Sequence, residues 1–159
     1  MAKGGKRKAA SGDVGTNRQA RFRYELLENL EAGIVLLGTE VKALRTGGAQ
    51  MRDSYATLTP DGELWLHNMH IPPYPPAARE NHDPDRSRKL LLHRREIDRL
   101  VGRIRERGLT VVPTRIYFKG PHAKVEIALA RGKDTHDKRE TIREREQKRE
   151  MERAMGRRR

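Results

Sequence analysis

Apolar and polar residues alternate over several short stretches in the central part of this chain, a period-two pattern that predicts half-buried strands. Residues 54–59 and 63–67 alternate on either side of Pro60-Asp61-Gly62, which is a hairpin signal. Residues 109–112 and 114–119 are rich in β-branched and aromatic side chains. Pro113 between them predicts a sheet edge or a bulge. The run 124–130 places Val125, Ile127 and Leu129 on one face. Residues 22–37 and 68–74 are further strands able to pair with these, although 22–30 suits a helix equally well.

The period changes once with clarity. Ile97, Leu100, Val101 and Ile104 recur at helical spacing, and Gly108 supplies a stop. At the other end His93 and Glu96 stand three apart, as a capping arrangement requires. A shorter helix is predicted over 39–45, with Thr39 as its cap, Val41 and Leu44 on one side, and Gly47-Gly48 as its end. Many short antiparallel strands with two helices predict a mainly β fold. The expected form is a small antiparallel, oligonucleotide-binding-like barrel with flanking helices and a basic C-terminal tail.

The pattern fails at both ends. Residues 1–17 are rich in Lys, Gly, Ser and Ala and read as a flexible basic leader, so the barrel domain is expected over 18–131. From Arg131 to Arg159 there are twelve Lys/Arg and seven Asp/Glu, with Ile142, Met151, Ala154 and Met155 almost the only apolar side chains. A helix that is polar nearly all round has no face to bury on its own domain. Yet this stretch has no proline, and its glycines, Gly132 and Gly156, lie near its edges. Glu140 with Arg143, Glu144 with Lys148, Glu146 with Arg149 and Glu150 with Arg153 fall at helical spacing. Each such pair adds only ~0.2–0.5 kcal/mol, which biases the chain toward helix without ordering it. The tail, 132–159, is therefore expected to be disordered when free and to become a helix on a polyanionic partner.

Charge sharpens that expectation. Of the 159 residues 36% are charged and the net charge is +13, an excess suited to lying against phosphate. No apolar run approaches the ~18 residues of a membrane span. The basic residues 1–8 are followed by no apolar stretch, so they do not read as a secretory signal. With no cysteine there can be no disulfide, thiolate zinc site or cysteine nucleophile, and a cytoplasmic location is expected. Seven aromatic residues (one Trp, four Tyr, two Phe) leave a small, mostly aliphatic core.

Candidate chemistry is sparse. Asp83 and Asp85 sit in a polar, proline-interrupted stretch and read as a loop rather than an acid/base or metal pair. His67 and His70 could share a metal on a helix, but on a strand their odd spacing puts them on opposite faces. No nucleophile elbow, Walker loop or dinucleotide fingerprint is present, and Gly47-Gly48 is too short to cradle a phosphate. A non-enzymatic protein without cofactor or metal is expected. Arg86, Arg88, Lys89, Arg94, Arg95 and Arg99 gather near the start of the long helix, and Lys119, Lys124 and Arg131 lie on or near the last hairpin. These favour contact with an RNA or DNA backbone. Tyr24, Tyr55 and Tyr74 are available as stacking platforms, although each also suits a core position.

Several strings in order resemble one family. They are Asn17-Arg18-Gln19-Ala20, Glu31-Ala32-Gly33-Ile34, Gly38-Thr39-Glu40-Val41-Lys42-Ala43-Leu44-Arg45, Asp53-Ser54-Tyr55, and Arg86-Ser87-Arg88-Lys89-Leu90-Leu91-Leu92-His93. Leu129-Ala130-Arg131-Gly132-Lys133 and His136-Asp137-Lys138-Arg139 complete the series. Over about residues 17–150 the chain resembles the SmpB family, tmRNA-binding proteins of bacterial trans-translation. The resemblance implies an oligonucleotide-binding-like barrel that binds the tRNA-like domain of tmRNA. It also implies travel with elongation factor Tu to stalled ribosomes, and a tail that folds in the empty messenger channel. By the same resemblance Asn17, Tyr24, Glu31, Leu91, Lys124 and Lys133 belong to the RNA surface, to which charge adds Arg88, Lys89, Lys119 and Arg131. Gly132 resembles the joint to the tail, His136, Asp137, Lys138 and Arg139 the part at the decoding centre of the small ribosomal subunit, and Met155 a terminal anchor. Two departures stand out: Asp134 replaces a usual Lys, and Ala154-Met155 only partly matches a more apolar pair. The competing expectation is a general basic ribosome- or nucleoid-associated protein that coats phosphate without selectivity.

Overall fold

The computed structural model describes residues 13–133 and 135–157, with backbone alone at 106–107, 135–138 and 157. The alternating stretches become seven strands: β1 (Asp13–Thr16), β2 (Tyr24–Ile34), β3 (Tyr55–Leu58), β4 (Leu64–His67), β5 (Arg88–Leu91), β6 (Thr110–Lys119) and β7 (His122–Gly132). Antiparallel pairing runs β6-β3-β4-β5-β2-β7 and closes through β6–β7, with β1 lying along β6. Four helices join them: α1 (Ala20–Arg23), α2 (Gly38–Gly47), α3 (Arg94–Arg107) and α4 (Thr135–Arg157). The mainly β ring with flanking helices is the architecture that the alternation predicts.

Closure has a direct cause in the sequence. Inward residues such as Leu64, Leu66, Leu90, Val111, Ile116, Val125, Ile127 and Leu129 form one buried cluster. A ring buries that face without leaving open sheet edges. The single-face reading of β7 is incomplete, because Ala128 and Ala130 are buried too. They meet Ala20 and Val112 in a second small core beneath α1. Small side chains there let α1 lie close to the outside of the ring.

The expected punctuation works. The 55–58 and 64–67 strands pair as a hairpin. Residues 109–112 and 114–119, read as separate runs, join in β6, and its register with β7 shifts between Pro113 and Arg115. That bulge accommodates the proline, which has no N–H to donate. In α3 the His93 N–H donates to Glu96 Oε2 at 3.2 Å, and Gly108 ends the helix at φ 59°.

Four expectations are corrected. Residues 22–30 are neither all helix nor all strand, since α1 ends at Arg23 and β2 begins at Tyr24. Residues 68–74 do not form a strand and contribute one isolated bridge, Gln50–His70. Thr39 does not cap α2: the Leu37 N–H donates to Glu40 Oε2 at 2.8 Å, while Thr39 Oγ1 meets His82 Nδ1 at 2.9 Å. The expected leader is also shorter, because Asp13–Thr16 pairs with β6 and the Asn17 N–H donates to the Thr114 carbonyl at 2.8 Å. Residues 1–12 of that leader lie outside the described residues. β1 fits because Gly48 sits at φ 77° with space for no side chain: a Cβ there would stand 2.3 Å from the Val14 carbonyl oxygen.

The tail residues from Thr135 are helical in this structure, as their composition favours, and the helix touches the barrel at α1. Arg145 lies over the Phe22 ring, 5.6 Å from its centroid, and Lys133 Nζ donates to Thr141 Oγ1 at 3.4 Å. Where described, the α4 side chains are almost all exposed. Among the described residues no helix is long and apolar enough to cross a membrane.

Candidate nucleic-acid interface

Arg88 shows why a basic residue read from sequence need not meet a ligand. It lies on β5 with 0% exposure, and its Nε donates to Glu40 Oε1 at 2.9 Å. Its Nη1 and Nη2 donate to the Met69 and Pro84 carbonyls at 2.7 and 3.1 Å. Arg86 adds two bonds to Glu40, Nε to Oε1 at 3.0 Å and Nη2 to Oε2 at 2.8 Å. Burial pushes the Glu40 carboxyl up, but bonds from Arg86, Leu37 and Arg88 hold it below its ordinary value overall. This network ties α2, β5 and the 68–87 connection together. Arg88 is therefore withdrawn from the RNA-contact set, because a fully enclosed guanidinium has no donor left at the surface.

A different group of residues does come together outside. β2 sits between β5 and β7, and the register aligns Leu91, Gly33, Lys124 and Tyr117 in one row across β5, β2, β7 and β6. The next outward position aligns Glu31, Glu126 and Arg115. Gly33 has no side chain to fill the row, and a Cβ there would stand 3.2 Å from Leu91 Cβ. Leu91 thus lies over the strand and remains 50% exposed.

Charges on this face balance three against three, Arg115, Lys119 and Lys124 against Asp13, Glu31 and Glu126. The Tyr117 hydroxyl donates to Glu31 Oε2, and Lys119 Nζ lies 3.4 Å from Glu31 Oε1. The Tyr117 bond, with the charges of Lys119 and Lys124 behind it, holds the Glu31 carboxyl below its ordinary value against desolvation. Burial and the same bond push the Tyr117 hydroxyl up to about 12, so it remains a donor at neutral pH. Arg115 stacks on Tyr117, 4.3 Å from the ring centroid, and is anchored by Glu126 at 2.7 Å and Asp13 at 3.0 Å. A face built this way presents a fixed carboxylate among cations and an apolar side chain. It can accept hydrogen bonds from base edges as well as approach phosphates.

The structure therefore brings together Glu31, Leu91, Lys119 and Lys124 of the expected contacts. Sequence reasoning missed Tyr117, Arg115 and Gly33. The signal was present in the i, i+2 spacing of Arg115 and Tyr117, which alternate with the core residue Ile116 and with Phe118, packed against that core. Asn17 and Tyr24 lie elsewhere, near α1. Asn17 is 7% exposed, and its Nδ2 donates to the Pro113 carbonyl at 2.9 Å. Lys89 is engaged with Glu63 at 3.0 Å. Arg131 pairs with Glu25 at the start of the tail joint, where Gly132 stands opposite Tyr24 and the Lys133 N–H donates to the Arg23 carbonyl at 3.1 Å.

His136, Asp137 and Lys138 belong to α4, with side chains outside the described set, and Asp134 lies outside the described residues. Arg139 is exposed, as is Met155 at 70%. His67 bonds Thr57 and Ser87, each at 2.8 Å, while His70 bonds Asp85 at 2.9 Å. Asp83 Oδ1 accepts the Asp85 N–H at 3.0 Å, as a polar loop requires. Among the described residues no cluster of three His, Asp or Glu is placed to hold a metal ion.

A model of the SmpB protein family matches residues 14–157. The chain belongs to the SmpB family. That match begins inside β1 and ends with α4, so the barrel and the tail helix both fall within the family's shared length. Similar curated proteins include the SsrA-binding protein of Parafrankia sp. (strain EAN1pec), 56% identical over 144 residues, spanning 91% of this chain and 90% of that protein. The SsrA-binding protein of Gloeothece citriformis (strain PCC 7424) is 56% identical over 142 residues, spanning 89% of this chain and 91% of that one. Among solved structures, a chain of "tmRNA-SmpB: a journey to the center of the bacterial ribosome" superposes with a TM-score of 0.65 at 49% identity. It spans 81% of this chain and 94% of its own.

Proposed function

We propose that this protein binds tmRNA through its barrel and accompanies it to stalled ribosomes in trans-translation, without catalysing a reaction. The carrying observation is the outward row Leu91–Gly33–Lys124–Tyr117 with Glu31 fixed beside it. A protein built only to coat phosphate gains nothing from a carboxylate in its contact face, since repulsion weakens every phosphate contact equally. A selective reader gains specificity from it. The SsrA-binding names of relatives at 56% identity, and the solved SmpB neighbour described with tmRNA in the ribosome, support the same assignment.

The finer roles follow the family resemblance. Elongation factor Tu is the delivery partner, and the cytoplasm is the compartment. The domain division is a barrel reader joined at Gly132 to a tail that probes the empty messenger channel. In that channel His136 stacks on a base and Lys138 and Arg139 reach phosphates, with Asp137 beside them. Met155 stands at the terminal anchoring position. Free in solution the tail is disordered, having almost no described surface to bury, and it becomes helical on the ribosome.

Competition binding tests the reading. The full chain and a chain ending at residue 131 are titrated with the tRNA-like domain of tmRNA against ordinary tRNA across salt. Both forms should prefer the tmRNA fragment to the same degree, while the shortened form fails to support tagging on stalled ribosomes. Equal affinity for both RNAs at matched salt, with a steep salt slope throughout, would replace this reading with general phosphate coating.

A further inference from the structure

Phe22 and Arg145 meet between α1 and the tail helix, and each stands apart from the interactions around it. The Phe22 ring is half-buried but packs into neither of the barrel's two buried clusters. It is carried on a fixed turn. Ala20 is enclosed in the small core beneath α1, and the Phe22 and Arg23 N–H groups donate to the Gln19 carbonyl at 3.1 and 2.9 Å. The Arg23 side chain is tied to Asp53 at 2.8 Å.

Arg145 departs from the charge pairing of α4. Glu140 with Arg143, Glu144 with Lys148 and Glu150 with Arg153 fall at helical spacing, whereas Arg145 has Thr141, Ile142, Lys148 and Arg149 three and four positions away. No acid along the helix can therefore hold its guanidinium. It lies instead over the Phe22 ring, 5.6 Å from the centroid, within the range at which an aromatic face attracts a cation. Thr141, one turn earlier on the same side of α4, accepts a long bond of 3.4 Å from Lys133 Nζ. Lys133 is itself held to the end of α1, its N–H donating to the Arg23 carbonyl at 3.1 Å. The tail helix is thus attached at its root, and again at Arg145, roughly 15 Å farther along the axis at ~1.5 Å per residue.

We propose that Phe22 and Arg145 form a brace that sets the direction of the tail helix relative to the barrel once the tail folds on the ribosome. One attachment leaves a helix free to swing about its root, and a second defines its axis. Both are positioning residues, acting through the tail rather than on RNA. The inference rests on the ribosome-rescue reading above. An exposed cation–ring contact shifts an equilibrium only about two- to fivefold. That is too little to order the free tail against the cost of starting a helix, but enough to favour one orientation of a helix already formed.

The test follows tagging of a nascent chain stalled on a message without a stop codon, using the full chain and tmRNA. The variants are Phe22→Ala, Arg145→Gln, the two combined, and Phe22→Trp. Each of the first two should slow tagging about two- to fivefold, and the combination should be no slower than either alone, because one contact is lost in all three. Phe22→Trp, which keeps an aromatic face, should tag as the parent does. All four should bind the tRNA-like domain of tmRNA with parent affinity. Parent-like tagging by Phe22→Ala or Arg145→Gln, or a Trp variant as slow as Ala, would overturn the brace. So would a combined loss equal to the product of the single losses, which would mean that Arg145 meets ribosomal phosphate independently of Phe22. Weakened tmRNA binding by Phe22→Ala would overturn it too, placing the ring in the RNA surface. Failure of the broader reading is distinguishable, since the parent chain itself would then not support tagging.

Discussion

Replacing Glu40 with alanine removes the one negative charge that serves two guanidiniums. In the folded protein Glu40 and Arg88 are both at 0% exposure, so Arg88 would keep its charge in an enclosed site with only the Met69 and Pro84 carbonyls as partners. Arg86 would lose both of its bonds to Glu40 but is partly exposed and can turn to water. The Leu37 N–H would lose its acceptor at the start of α2. Breaking a buried pair from one side costs about 3–5 kcal/mol, chiefly because the remaining charge is uncompensated. Against a typical stability of ~5–15 kcal/mol this is a large fraction. For a domain of this size it corresponds to a melting-temperature fall of roughly 10–20 °C. Urea denaturation at neutral pH measures it directly. A loss below about 1 kcal/mol would refute the premise that the Glu40 charge compensates Arg88 in the folded state.

The pH dependence follows from the direction of the Glu40 shift. Its folded-state value is depressed below the ordinary 4.5, so its contribution is fully present above about 4.5 and disappears as pH falls through the lower folded value. The stability gap between the parent and Glu40→Ala should be constant near neutrality and narrow only in acid. A gap that widened on acidification would contradict the assignment.

Two further changes probe the rest of the barrel. Gly48→Ala forces a Cβ to within 2.3 Å of the Val14 carbonyl at a φ of 77°. Backbone strain alone should cost about 1–3 kcal/mol, and the amides of β1 should lose protection in hydrogen exchange, whereas unchanged protection would show that β1 does not depend on this close approach. Tyr117→Phe removes the largest influence that lowers the Glu31 carboxyl. The Glu31 titration followed by NMR should move upward toward the ordinary glutamate range, with preference for the tmRNA fragment fading at a correspondingly higher pH; an unmoved titration would rule out Tyr117 as the group that fixes Glu31.

Much of this molecule is legible in local pattern. The 55–58 and 64–67 hairpin, the α3 boundaries at His93 and Gly108, the bulge at Pro113 and the helix-forming, stripe-free tail all arise from short-range chemistry. In each case the deciding residues lie within a few positions of the feature, so the sequence carries the whole instruction. The likeness of its ordered strings to the SmpB family carried the functional expectation further than composition could. Net charge alone reaches only a phosphate-seeking barrel.

What tertiary structure decided depends on partners distant in the chain. Arg88 reads as a surface cation by composition, yet Glu40 lies far before it in sequence and accepts its charge inside the fold. Thr39 reads as a cap, but His82 takes its hydroxyl and leaves that end of α2 to Glu40. Ala128 and Ala130 look like the outer face of β7 until α1 covers them. Tyr117 was one aromatic among several strand residues until ring closure set β6 on the far side of β7 from β2 and delivered its hydroxyl across β7 to Glu31. Local periodicity assigns a residue to an inner or outer face, whereas the choice of partner is made only when the ring closes. The sequence by itself determined the 55–58/64–67 hairpin, the limits of α3 and the bulge at Pro113. The closed barrel decided which charges are enclosed and which four strands share one outward row.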